Sequence, residues 1–179
     1  MGKLINLLAV LGMIIFLTAC GATLPSLKTV DHVDIQRFMG DWYVIACIPT
    51  SFEVGAYNAI ESYRLDADGT IATTFTFRKG AFDGPLKTYK PRGFIVDTTT
   101  NATWGMRFIW PFKVESLITY LADDYSQTVV ARNKRDYVWI MARKPEIPEA
   151  DYSRIVEMLA AQGYDTSKLI KVPQSWPQP

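Results

Sequence analysis

The chain has 179 residues, 19 basic and 18 acidic side chains, one histidine and two cysteines; 49% of it is hydrophobic and 13% aromatic. This length and aromatic content fit one domain with a full core and exclude wholesale disorder. A net charge of +1 excludes a phosphate-tracking nucleic-acid surface, and the lone His32 leaves no histidine cluster for zinc; no metal or cofactor is expected.

Residues 1–19 read as a signal peptide. Lys3 precedes a nearly unbroken apolar run over 4–17, shorter than the roughly 20 residues of a spanning helix and laid out as a secretory signal. Leu17, Thr18 and Ala19 lead into Cys20 and Gly21, which resembles the lipobox of bacterial lipoproteins. The resemblance implies cleavage before Cys20, a diacylglyceryl thioether on its sulfur and a further acyl chain, such as palmitate, on its amine. Two or more chains anchor stably where one is marginal. Gly21 in place of an Asp implies sorting to the outer membrane. Residues 20–34 are expected to be the lipidated N-terminus and a tether, with Pro25 and little periodicity. The folded domain is expected over 35–179.

From residue 36 short strands follow one another. Residues 43–48 are apolar on both faces, so their orientation stays open. Residues 58–65 alternate, with Ala59, Glu61, Tyr63 and Leu65 on one side. Asp66 to Gly69 form a turn, and 71–78 place Ile71, Thr73, Phe75 and Phe77 on one face. A strand over 86–96 is interrupted at Pro91. Residues 103–109 alternate with Trp104, Met106 and Phe108 on one face, and Trp110, Pro111 and Phe112 break that strand. Strands over 115–121, 126–132 and 137–143 complete eight. Residues 149–162 then carry Tyr152, Ile155, Val156 and Leu159 at helical spacing, with Gly163 as the stop.

These elements predict an all-β fold: an eight-stranded up-and-down antiparallel barrel with one C-terminal α-helix packed outside. Closure removes exposed strand edges and leaves room for a small ligand; a β-sandwich is the competing architecture.

Gly40-Asp41-Trp42 resembles the Gly-x-Trp signature that opens the first strand of lipocalins, and the strand ending at Arg143 resembles their last. Gly40 would let the chain turn across the closed end, Trp42 would plug it, and Arg143 would lie over the indole. Residues 48–55 and 163–169 are similar to segments of the bacterial outer-membrane lipocalins and the apolipoprotein D branch. The sequence departs from the family at Ala122, where an Asp usually stands three residues before the Tyr that is here Tyr125.

The resemblance implies a carrier of fatty acid or lysophospholipid, lipid-anchored at the bacterial outer membrane with its domain facing the periplasm. The strand faces agree: Ala59, Glu61, Tyr63, Leu65, Phe75, Phe77, Trp104, Met106, Phe108, Tyr120 and Trp139 are candidates for the cavity wall, or for core beneath it. Glu61 is the unusual member, a carboxylate inside or at the mouth of the barrel. It would meet a ligand headgroup ammonium or sit in water at the rim. Trp110 and Phe112 either dip into a membrane interface or close over the cavity.

Two other classes remain. Cys47 as an enzyme nucleophile would need a base, and His32 lies outside the barrel. An envelope lipoprotein that binds partners and holds no ligand would have a filled barrel. A homodimer is left open.

Overall fold

The computed structural model describes residues 24–177; the expected signal peptide, lipobox and Cys20 lie outside the described residues. The elements are α1 (Ile35–Phe38), β1 (Gly40–Ile48), β2 (Ala56–Leu65), β3 (Ile71–Lys79), β4 (Leu86–Tyr89), β5 (Arg92–Ile95), β6 (Thr103–Ile109), β7 (Phe112–Leu121), β8 (Gln127–Ala131), β9 (Val138–Ala142), α2 (Glu149–Ala161) and β10 (Ile170–Lys171).

Neighbouring strands pair antiparallel, and β9 returns to β1, so the sheet closes. β4 and β5 share one barrel position beside β3, split at Lys90 and Pro91, because proline has no N–H for the ladder. The result is the expected eight-stranded barrel with two further short pieces of strand. β1 pairs with β2 only from Gly40 to Tyr43; beyond that β10 takes the same edge at Ala46 and Cys47.

The barrel separates two cores. Inside, Trp42, Tyr63, Ile71, Phe75, Phe77, Trp104 and Ile118 pack together; outside, Ile45, Leu117, Val129, Ile140 and α2 form the second cluster. A register shift between Val44 and Ala46 settles the ambiguous faces of β1. Val44 and Cys47 join the inner cluster, while Ile45, Ala46 and Ile48 join the outer one.

α2 covers the outer sheet face as expected, with Ile155 and Leu159 fully buried. Each such side chain contributes about 1.5–3 kcal/mol. The helix stops at Gly163, whose φ is +89°. Gly163 N donates to Ala160 O and Tyr164 N to Leu159 O, the paired bonds of a Schellman cap.

The expected tether is corrected from Leu27 onward. This segment is laid along the barrel: Leu27 N donates to Asn133 Oδ1, Val30 N to Ile118 O and Val33 N to Thr100 O. Leu27 and Val33 are buried. The three apolar residues recur every third position, a spacing that matches neither a strand nor a helix, so periodicity does not reveal them.

A second strap runs after β10. Asn58 exchanges side-chain and backbone bonds with Ser175, and the Gln174 amide donates to Val44 O on β1 and Ala59 O on β2. It bridges the two strands where their own ladder stops.

Candidate ligand cavity

The strand directions define two barrel ends. α1 and the starts of β1 and β6 lie at one; the β1–β2 loop and the β6–β7 and β8–β9 turns lie at the other.

The α1 end is shut. Gly40 has φ +91°, a left-handed conformation that strains any residue with a Cβ, and this turns the chain into β1. Trp42 is fully buried and donates from Nε1 to Phe38 O at 2.9 Å. The Arg143 guanidinium lies 3.8 Å from the centroid of the Trp42 ring and donates to the carbonyls of Arg37, Phe38, Met39 and Asp41. It thereby caps the last turn of α1, whose carbonyls lack helical partners. Nearby, Tyr125 Oη accepts from Asp34 N while Arg37 covers its ring and donates to Asp123 O. Tyr125 N also bonds to Ala122 O, so the turn holds its shape without the family's Asp.

Above this floor is a cavity of about 170 Å³ whose wall includes the expected Glu61, Tyr63, Phe75, Trp104, Met106, Phe108 and Trp139. Phe38 of α1 is its base, with its ring 5.0 Å from Trp42 and 5.5 Å from Trp104. Four expected residues, Ala59, Leu65, Phe77 and Tyr120, are placed elsewhere. Ala59 is buried in the inner core but is not part of the cavity wall. Phe77 is buried in a stack with Phe75 and Tyr89. Tyr120 points outward and its hydroxyl accepts from Arg154 of α2. Val114, Ser116 and Ile118 face the cavity, and a register shift between Ile118 and Tyr120 then reverses the faces of β7. Leu65 packs against the inner core below the cavity.

Glu61 is inside the barrel, in register with Trp42 and Phe75, and not at the rim. Tyr63 Oη donates to its Oε2. Burial raises the Glu61 carboxyl from 4.5 to about 7, opposed by the Tyr63 bond and assisted by the charge of Glu53. Burial and the Glu61 charge together push the Tyr63 phenol well above its ordinary value. The pair is therefore an acid that takes up its proton near neutrality and a phenol that keeps its own.

The mouth carries polar groups that the strand pattern does not reveal. Glu53, in the β1–β2 loop, is only 5% exposed. It accepts from Trp139 Nε1 at 2.8 Å, from Thr50 N at 2.8 Å and from the Thr50 hydroxyl. Phe52, beside it, sets its ring 4.9 Å from Tyr89 and 6.4 Å from Phe108 and covers part of the opening. Arg132 lines the cavity, pairs with Asp136 at 3.0 Å and lies over Tyr137. Tyr164 holds that turn in place, accepting from Arg132 N and meeting the carbonyls of Arg132 and Tyr137. Trp110 and Phe112 do not close the cavity, being 78% and 73% exposed.

Cys47 is buried, and burial together with Glu53 pushes its thiol up to about 12. It is held as a thiol, a poor nucleophile. His32 lies by the loop between β5 and β6, with Nδ1 3.4 Å from Thr99 O, at the opposite end of the barrel.

A barrel with a plugged floor, an aromatic cavity and one polar-edged mouth is a container for small apolar molecules. Residues 33–174 match the model of the lipocalin-like domain. Over 176 residues the chain is 27% identical to the outer membrane lipoprotein Blc of Escherichia coli strain K12, covering 96% of this chain and 98% of that one. Mouse (Mus musculus) apolipoprotein D is 26% identical over 160 residues, 84% of this chain and 82% of that one. Insecticyanin from the tobacco hornworm Manduca sexta superposes with a TM-score of 0.67 at 16% identity, covering 86% and 87% of the two chains. The chain belongs to the lipocalin family, in the branch with the bacterial Blc lipoproteins and apolipoprotein D. The family binds small hydrophobic ligands.

Proposed function

We propose that this protein carries a single-chain lipid, a fatty acid or lysophospholipid, at the bacterial outer membrane. Cys20 would be its lipid anchor and the periplasm the side its domain faces. The observation that carries this reading is the cavity itself: an apolar, aromatic wall closed below by Phe38 and Trp42 and edged above by Thr50, Glu53 and Arg132. An acyl chain fits the wall, and a polar headgroup fits the mouth. With Glu61 in the lower half of the barrel, the headgroup contact falls to Arg132 and the β1–β2 loop. The relatives named Blc are outer membrane lipoproteins, which supports the location.

Native mass spectrometry with lipid extraction tests the reading on residues 21–179 produced in a lipid-containing host. Fatty acid or lysophospholipid bound at a defined stoichiometry is the expected result. A barrel that is reproducibly empty and also rejects added lipid overturns it in favour of a partner-binding envelope protein.

A further inference from the structure

We infer that the mouth of the barrel docks on a lipid surface, with the tip of the β6–β7 hairpin entering the interface of an anionic leaflet. Ile109 pairs with Phe112, leaving Trp110 and Pro111 as the turn. Ile109, Trp110 and Phe112 are 73%, 78% and 73% exposed, and Val54 of the neighbouring β1–β2 loop is 52% exposed. Water gains nothing from such a cluster, whereas tryptophan and its apolar neighbours are favoured at the headgroup boundary.

The charges around the tip select the occupant. Lys113 and Arg107 sit on the outer wall beside it, over the Phe94 ring at 3.8 and 4.7 Å. Lys79 lies beneath the β1–β2 loop, and Lys134 is exposed on the β8–β9 turn. Of the acids at this end, Glu115 is engaged with Asn133 and Asp136 with Arg132, which leaves Asp83 of the β3–β4 turn as the exposed carboxylate against this group of cations. Cations at this height are attracted to an anionic leaflet. The same collar would repel a second copy docked mouth to mouth.

The N-terminal strap supplies an independent argument. It climbs the barrel wall from Val33 by Thr100 to Leu27 by Asn133, and Pro25 O accepts from Arg135 at 2.6 Å. Asn133 and Arg135 belong to the β8–β9 turn, so the chain reaches its first described residues at the mouth end. Leu24 lies four positions after Cys20, a reach of at most about 14 Å. An anchor at Cys20 and the hairpin tip therefore meet one surface, and the barrel stands mouth-down on it. The anchor belongs to the proposed function; the hairpin argument stands without it.

The full chain, purified from membranes and reconstituted into phosphatidylethanolamine–phosphatidylglycerol vesicles with brominated acyl chains, tests this. The fluorescence lost in Trp110→Leu isolates Trp110 from the other four tryptophans, and Phe112→Ser with Trp110 kept supplies a second variant. Docking predicts that brominated lipid quenches most of the Trp110 signal, that vesicles shield it from iodide, and that Phe112→Ser weakens both effects. A Trp110 signal that brominated lipid leaves unchanged and iodide still reaches overturns the inference. So does shielding from iodide in lipid-free solution with a doubled mass, which assigns the tip to a second copy. Lipid content measured on the same samples separates the two proposals: bound lipid with unquenched Trp110 sinks docking alone, and quenched Trp110 over an empty barrel sinks the carrier alone.

Discussion

Glu53 Oε1 accepts a 2.8 Å hydrogen bond from Trp139 Nε1, which fastens the loop after β1 to the inner wall of β9. The other oxygen holds Thr50, so Phe52 is clamped over the mouth from both sides. Glu53→Ala leaves the Trp139 and Thr50 N–H groups without partners, a loss of about 2–3 kcal/mol readable as a lower urea midpoint. It also frees Phe52, and a bound fluorescent fatty acid should dissociate faster. An unchanged dissociation rate would show that Phe52 is not a lid.

Glu61 gives stability a pH dependence of definite sign. With its carboxyl raised from 4.5 to about 7, the folded protein keeps a proton that the unfolded chain releases between those values. Stability is therefore greatest below pH 4.5 with respect to this group and falls as pH rises to 7. Asp68, Asp97, Asp124, Asp151 and Asp165 are held below their ordinary values by hydrogen bonds, so their opposite effect lies at lower pH. Urea midpoints of Glu61→Gln should lose the downward slope between pH 5 and 7. A slope equal to that of the unaltered chain contradicts the assignment.

Val114 faces the cavity while Tyr120, on the same strand, faces α2. Val114→Trp should fill the space and abolish lipid binding, with an overpacking cost of about 1–3 kcal/mol. Tyr120→Phe should leave binding unchanged and lose only its contact with Arg154. Loss of binding in Tyr120→Phe would reverse the faces given to β7.

Arg143→Ala removes the cation over Trp42 together with the cap on α1. Hydrogen bonds to a charged donor and a cation–π contact together make a loss of about 3 kcal/mol or more. Arg143→Lys should recover only part of it, because an ammonium lacks the planar fork that reaches several carbonyls at once. Full recovery with lysine, measured by denaturant unfolding, would reduce the role of Arg143 to its charge.

Gln174→Ala unpairs Val44 O and Ala59 O at the β1–β2 seam. The expected cost is about 1–3 kcal/mol, with faster amide exchange confined to the upper halves of β1 and β2. Exchange unchanged at the seam would show that the strap adds nothing to closure.

The barrel is legible in the sequence because most strands keep period two between turn residues, and β3 does so without a break. The Gly40, Trp42 and Arg143 set is legible because a tight turn, a large plug and a distant cation occur in a fixed order. The misplaced cavity residues differ in cause: a register shift in β7 turns Tyr120 outward, and nothing in the residue types marks a shift, whereas Ala59, Leu65 and Phe77 keep the inner face but are packed into core instead of cavity wall. The mouth is hidden for another reason. Glu53, Arg132 and Tyr137 sit in loops, where orientation is set by distant partners such as Trp139 and Tyr164 and not by local pattern.

The seam between β1 and β2 also has a consequence in time. Its upper half is closed by residues 170–175, which the ribosome makes after every strand of the barrel. Until they emerge, the upper part of the first strand lacks its partners on that edge, so this seam is the last part of the barrel wall to close.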